Sequence, residues 1–163
     1  MSCVSRAVLR YSDEISPGSH VQGLTFAGGG DIRLGGQTAY LLSMVHQFRV
    51  VKAEAPRGPF KVSTMAYYYR LQAEGGQDVV AFHWHPRVAY SRPHLHVGNG
   101  LGRLRASASH YHFPTGRVCL EEVLRFAIQD LFVRPRRVDW ETVLDTGQRA
   151  HEEWRTWPSP TTS

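Results

Sequence analysis

Cysteine is scarce in this chain. Its 163 residues hold two, Cys3 and Cys119, which excludes a disulfide framework and a cysteine-built zinc site. No apolar run approaches the ~18 residues that a membrane-crossing helix needs, so no membrane partner is expected. The first ten residues carry Arg6 and Arg10 but no apolar signal core. They read as a cytoplasmic start, with Cys3 near a frayed end. Gly28-Gly29-Gly30-Asp31 lacks the Lys-Ser/Thr of a phosphate-binding loop and the spacing of a dinucleotide fingerprint. It reads as a flexible connection. No nucleophile elbow supports a Ser-His-Asp arrangement.

The most telling absence is local. Residues 79–119 contain no acid, yet they hold six of the nine histidines and five arginines: Arg87, Arg92, Arg103, Arg105 and Arg117. The histidines form three His-x-His pairs, His83/His85, His94/His96 and His110/His112. From 79 to 137 there are nine arginines, three acids and no lysine. Arginine is the better partner where planar, bidentate contact to phosphate is wanted. A net charge of +5 and a pI near 9.6 fit a polyanion partner, although a solvated basic surface has the same composition.

Along the chain, the first 36 residues are polar and glycine-rich and are expected to be loosely ordered. Residues 40–51 are apolar with an ambiguous period, a strand or a short helix. Residues 55–59, Ala-Pro-Arg-Gly-Pro, break the chain. Residues 60–71 are rich in strand formers around Tyr67-Tyr68-Tyr69. Glu74-Gly75-Gly76-Gln77 reads as a hairpin turn, and 78–85 as the return strand. In an extended strand i and i+2 share a face, so each His-x-His pair sets two imidazoles side by side. The opposite face is apolar each time: Val80, Phe82 and Trp84, then Leu95 and Val97, then Tyr111 and Phe113. Burial of the Trp84/Leu95/Tyr111 face would turn the imidazoles to solvent or a groove.

The last third is helical. Leu120, Val123, Leu124, Ala127, Ile128 and Leu131 mark an amphipathic helix over 120–133, ended by Arg134-Pro135. It is expected to cover the apolar face of the sheet. Asp139 can cap a second helix running to about Trp157. Trp154 and Trp157, late in it, are placed in the core or at an oligomer contact. The sum is an α+β fold: a twisted antiparallel sheet of four to six strands, backed by two C-terminal helices. Residues 1–157 form a single domain and 158–163 a disordered tail.

Three chemistries suit the histidines. Two His-x-His pairs on adjacent strands can supply ligands to zinc or another divalent transition metal, here His83, His85, His94 and His96. A carboxylate ligand would have to come from elsewhere, such as Glu54 or Glu74. Without metal, His94 and His96 can act as acid and base on RNA, with His85 and Tyr90 nearby and Arg92 on the phosphate. Arg87, Arg103, Arg105, Arg117, His110 and His112 would then line the nucleic-acid path. Third, the imidazoles can simply be polar-face residues of a sheet, or part of a non-catalytic nucleic-acid- or protein-binding module. Two motif families fail. Gly98 stands where a histidine-triad hydrolase has its third histidine, and residues 86–98 lack the glutamate that a cupin metal site needs.

The order of these segments resembles a family. Tyr67-Tyr68-Tyr69-Arg70-Leu71, a glycine turn, a strand ending at His85-Pro86, then Pro93-His94-Leu95-His96-Val97-Gly98, and a helix introduced by Pro114 and carrying Leu120-Glu121-Glu122-Val123-Leu124 look like the TumE-like proteins, toxins of bacterial toxin–antitoxin pairs. The resemblance spans about residues 60–133. Cys119 stands where that family opens its helix with serine. What the resemblance implies is growth inhibition through RNA, as a ribonuclease-like toxin with a cognate antitoxin or other protein partner. It leaves the oligomeric state open.

Overall fold

The structure is a computed structural model that describes residues 1–12, 20–53, 58–87, 90–99 and 111–154. It confirms the α+β class, with two C-terminal helices behind one antiparallel sheet. That sheet has eight strands, more than expected. They are β1 (Leu9–Tyr11), β2 (Gln22–Phe26), β3 (Ile32–Leu34), β4 (Tyr40–Lys52), β5 (Phe60–Ala73), β6 (Asp78–Trp84), β7 (His94–Val97) and β8 (Phe113–Pro114). The order is β1-β2-β4-β5-β6-β7-β8, with β3 pairing β4 beside that path.

The described part of the glycine-rich first 36 residues supplies three strands. Gly28, Gly29 and Gly30 all have positive φ, from 70° to 92°. Left-handed backbone is cheap only for glycine, and here it makes the turn between β2 and β3. Nor is Cys3 frayed: it is fully buried in the core. Residues 40–51 settle as a strand because 13 residues of β4 pair along β5, leaving no helical alternative with comparable backbone bonding.

The two faces of the sheet follow the period-2 rule. Tyr40, Leu42 and Met44 of β4 oppose Ala73, Leu71 and Tyr69 of β5. Tyr69 and Tyr67 in turn oppose Phe82 and Trp84 of β6. These side chains form the inner face. Helix α1 (Leu120–Gln129) lays Val123, Leu124, Ala127 and Ile128 on it, with Phe126 edge-on to Phe82 at 6.2 Å. Cys119 starts α1, its backbone N–H donating to Glu122 Oε2 at 2.7 Å. Helix α2 (Trp140–Trp154) packs against α1 and, of its residues, buries only Leu144 almost completely.

Three expectations at this end need correction. α1 stops at Gln129, not 133, because Phe132 turns left-handed (φ 55°) and carries Val133 into a bridge with Gly36. Trp154 is half exposed rather than core. Tyr111 and Phe113 are also exposed, at 61% and 43%. The third histidine pair is therefore not a strand with a buried apolar face, since β8 begins only at Phe113. Trp157 and the tail 158–163 lie outside the described residues. Among the described residues no helix is long and apolar enough to cross a membrane.

Candidate functional site: a cluster of imidazoles on the outer face

The outer face of the sheet carries the alternate residues: Ser43, Val45 and Gln47 on β4, Ala66, Tyr68 and Arg70 on β5, Ala81 and His83 on β6, and His94 and His96 on β7. Register makes the site. His83 lies directly opposite His94, and Ala81 opposite His96. Ala81 and Ala66 keep the floor low, so imidazoles fill the space above it. The short 86–93 connection does join neighbouring antiparallel strands. Gly98 closes β7, and a Cβ there would stand 2.0 Å from the Asp78 carbonyl oxygen. Only glycine allows that approach, which fixes the position of the two β7 histidines over β6.

Five histidines converge. The His83 ring lies 5.5 Å from His94 and 4.9 Å from His96. His94 lies 5.0 Å from His96. His112 joins from just before β8, 4.5 Å from His96 and 4.8 Å from His94. His85 stands past the end of β6, 6.0 Å from His83. Tyr90 packs against both His94 and His112 at 4.7 Å, and Tyr68 edges onto His83 at 4.5 Å.

Within this group, His83, His94 and His96 each offer a ring nitrogen, all within 4.8 Å of one another. Imidazoles sharing one tetrahedral zinc at ~2.1 Å have nitrogens about 3.4 Å apart, so the set needs to close by at most about 1.4 Å. The His94 ring is oriented by its Nδ1, 2.8 Å from the Arg92 carbonyl. A carbonyl can only accept, so Nδ1 carries the proton and Nε2 presents a lone pair. Backbone carbonyls orient metal-bound histidines in the same way. His83 Nε2 is buried with no hydrogen-bond partner. Burying such a group unsatisfied costs about 1–3 kcal/mol.

Burial, then the neighbouring His96, His94, His85 and His112, hold His83 down to about 4. Burial also lowers His94, against the opposing pull of the Arg92 carbonyl. The neutral imidazole is the form that binds metal. Two described carboxylates flank this face and both are engaged: Asp31 by Ser43 and Arg70, and Asp78 by Gln72. Glu74 sits in the β5–β6 turn, bound to Arg33 at 2.7 Å, so it is no ligand. Among the described residues, the candidate ligand set is all imidazole.

Other expected residues are spread more widely. Arg92 is exposed, and only its carbonyl reaches the cluster. His85 and Arg87 line a small cavity of about 160 Å³ beside it, with Met65 and Ala66. Arg117 lies elsewhere: its guanidinium stacks on the core residue Trp84 at 4.2 Å, on the face away from the imidazoles. His110, Arg103, Arg105 and Glu54 fall outside the described residues. Tyr68 is the member that sequence reading passed over. Its signal was present: in Tyr67-Tyr68-Tyr69 the middle ring must face opposite to its neighbours.

No family model, curated protein or solved structure matches this chain.

Proposed function

We propose that this protein is a metal-dependent enzyme with zinc, or another divalent transition metal, held by His83, His94 and His96. One observation carries the reading: three imidazole nitrogens from paired strands lie within 4.8 Å of one another, one already oriented by a backbone carbonyl. Three histidines plus an open fourth position is a known catalytic arrangement for zinc. Held by three neutral imidazoles, a bound ion would keep its full charge and would supply Lewis-acid chemistry that lowers the pKa of bound water. The protein supplies the rest. Tyr90 and the exposed His112 border the site as candidates for positioning and proton transfer. The cavity at His85 and Arg87 offers a small substrate a partly apolar seat. The reaction class that fits is hydrolysis or hydration of a small molecule.

The test is metal content. Protein purified without chelator and analysed by mass spectrometry should carry about one zinc, iron or nickel per chain. Alanine at His83, His94 or His96 should weaken zinc binding by at least about 100-fold, against the 10–100-fold typical of lost outer-shell partners. Undiminished binding in the triple variant would sink the proposal.

A second reading keeps the RNA expectation. His96 and the exposed His112, with rings 4.5 Å apart, are the residue types of a metal-free acid–base pair, and Tyr90 packs against His112 at 4.7 Å. Under it the chain is a toxin-like ribonuclease, held in check by an antitoxin partner. End-labelled RNA incubated with and without EDTA separates the two. Cleavage that survives EDTA and fails in a His96→Ala/His112→Ala variant favours this reading.

A further inference from the structure

A second constellation lies away from the imidazoles, where the chain leaving α1 meets β3. A cleft of about 570 Å³ is bordered by Arg33, Arg134 and Arg136, with Ser5, Gly35 and Gly36. Among the described residues, no carboxylate lines it. β4 and β5 stand between β3 and the histidine strands in the sheet order.

The backbone here is built with care. Phe132 takes a left-handed φ of 55° while its ring stays 62% exposed. For a bulky non-glycine residue that conformation costs about 1–3 kcal/mol, and burial of its side chain returns little. The strained turn delivers Val133 to its bridge with Gly36. Arg134 N–H then donates to Gly35 O at 2.7 Å, and Arg136 N–H to Cys3 O at 2.8 Å. A Cβ on Gly36 would meet the Phe132 carbonyl oxygen at 2.4 Å, so glycine is required for the contact. Val133 is buried beneath this extended piece. Arg134 and Arg136 both line the cleft, with Pro135 between them.

Neither Arg134 nor Arg136 forms an ion pair with a described residue. Arg33 is shared with Glu74 at 2.7 Å, both two-thirds exposed. Among the described residues, the cleft is left with about two uncompensated positive charges. Guanidinium groups gathered without acids repel one another, and nothing in the packing rewards their meeting. A bound anion does.

We infer that this cleft binds a phosphate monoester, its dianionic group held by Arg134 and Arg136. The charge matches a phosphate dianion, and arginine's planar fork suits phosphate oxygens. The volume falls within the ~300–1,000 Å³ of small-molecule sites, more than a bare phosphate fills. Space therefore remains for an organic group. A neighbouring groove shares Pro135 and Arg136 and continues to Val138 and Trp140, which gives that group an apolar surface to rest on.

Titration calorimetry on the full chain tests this, using inorganic phosphate, adenosine monophosphate as a representative monoester, and a short single-stranded RNA. The monoester should bind more tightly than inorganic phosphate. Arg134→Gln/Arg136→Gln should weaken both by tenfold or more. Arg149→Ala, on the exposed side of α2, should change neither by more than twofold. Backbone amides, not the two side chains, tie the segment down, so melting without ligand should be unchanged in the double variant. Arg134→Ala/Arg136→Ala offers a second check if it is not. Equal binding by wild type and double variant, or no binding of either phosphate at millimolar concentration, overturns the site. Binding of RNA alone overturns the small-molecule assignment.

Discussion

Two faces of one sheet carry histidine and tyrosine at alternate positions, yet they treat histidine in opposite ways. On the inner face, His46 has both ring nitrogens engaged: Nδ1 lies 2.8 Å from Tyr69 Oη and Nε2 lies 3.2 Å from Thr64 Oγ1. On the outer face, His83 Nε2 is buried with no partner and looks into a group of other imidazoles. A satisfied histidine belongs to the packing. A buried, unsatisfied one beside its own kind is a place left for something else. Identity and burial do not separate the two; the hydrogen bonds do.

The largest expected effect comes from displacing one face while sparing the other. Gly98→Val pushes β7 off Asp78 and should destabilise the fold by about 3 kcal/mol or more, read from urea unfolding. Zinc binding should fall with it, and the surroundings of His46 should hold in the fraction that stays folded.

Acid should strike the inner face next. Burial, and then His151 on α2, hold His46 down to about 4 from an ordinary 6.5. Between those values the unfolded chain binds a proton that the folded chain refuses. The contribution is complete above about pH 6.5 and is lost as pH falls toward 4, on the order of 3 kcal/mol in total. Unfolding curves at pH 7 and pH 4.5 should diverge less in His46→Gln than in the wild type. An equal pH dependence in the two proteins would contradict the neutral, buried His46.

Leucine at each position sharpens the contrast. His46→Leu strands the Tyr69 hydroxyl, which is almost wholly buried, and should cost about 1–3 kcal/mol. His83→Leu removes an orphan nitrogen, so the metal-free protein should keep its stability or gain up to about 1 kcal/mol. Its zinc-induced rise in melting temperature should vanish. Equal losses at the two sites would erase the distinction. The smallest effect is expected far from both faces. Arg125→Ala breaks a partly exposed pair with Asp145 between α1 and α2 and should cost less than about 1 kcal/mol.

Much of this was legible in local pattern. The β5–β6 hairpin followed from its glycine turn, and the shared face of His83, His94 and His96 followed from period-2 alternation and a short connection. What escaped depended on distant partners. β1, β2 and β3 are three to five residues long, and only pairing with one another and with β4 makes them strands. α1 loses its last expected turn because Gly36, nearly a hundred residues earlier, captures Val133. His46 gave no sign of its hydroxyl partners beyond its place in the Tyr40, Leu42, Met44 series. Arg117 looked like part of a basic path, but Trp84 offers its guanidinium a flat aromatic surface in the core.

The short outer strands have a consequence for the behaviour of the chain in crowded solution. In the described sheet the strands with a single partner are β1 and β3, of three residues each, and β8, of two; β1 and β8 end the sheet order. The second of these ends in Pro114, which has no N–H to offer an incoming chain. An exposed sheet edge is a template for aggregation, and a proline or a very short strand is a poor one. Among the described residues, β4 has partners on both sides at 40–42 and 46–48 and β5 at 67–72, whereas 49–52 and 60–66 pair only with each other. The centre of the sheet is thereby shielded from fibril-like addition, and the end of the β4–β5 ribbon at 49–52 and 60–66 is where an incoming strand would find an open edge.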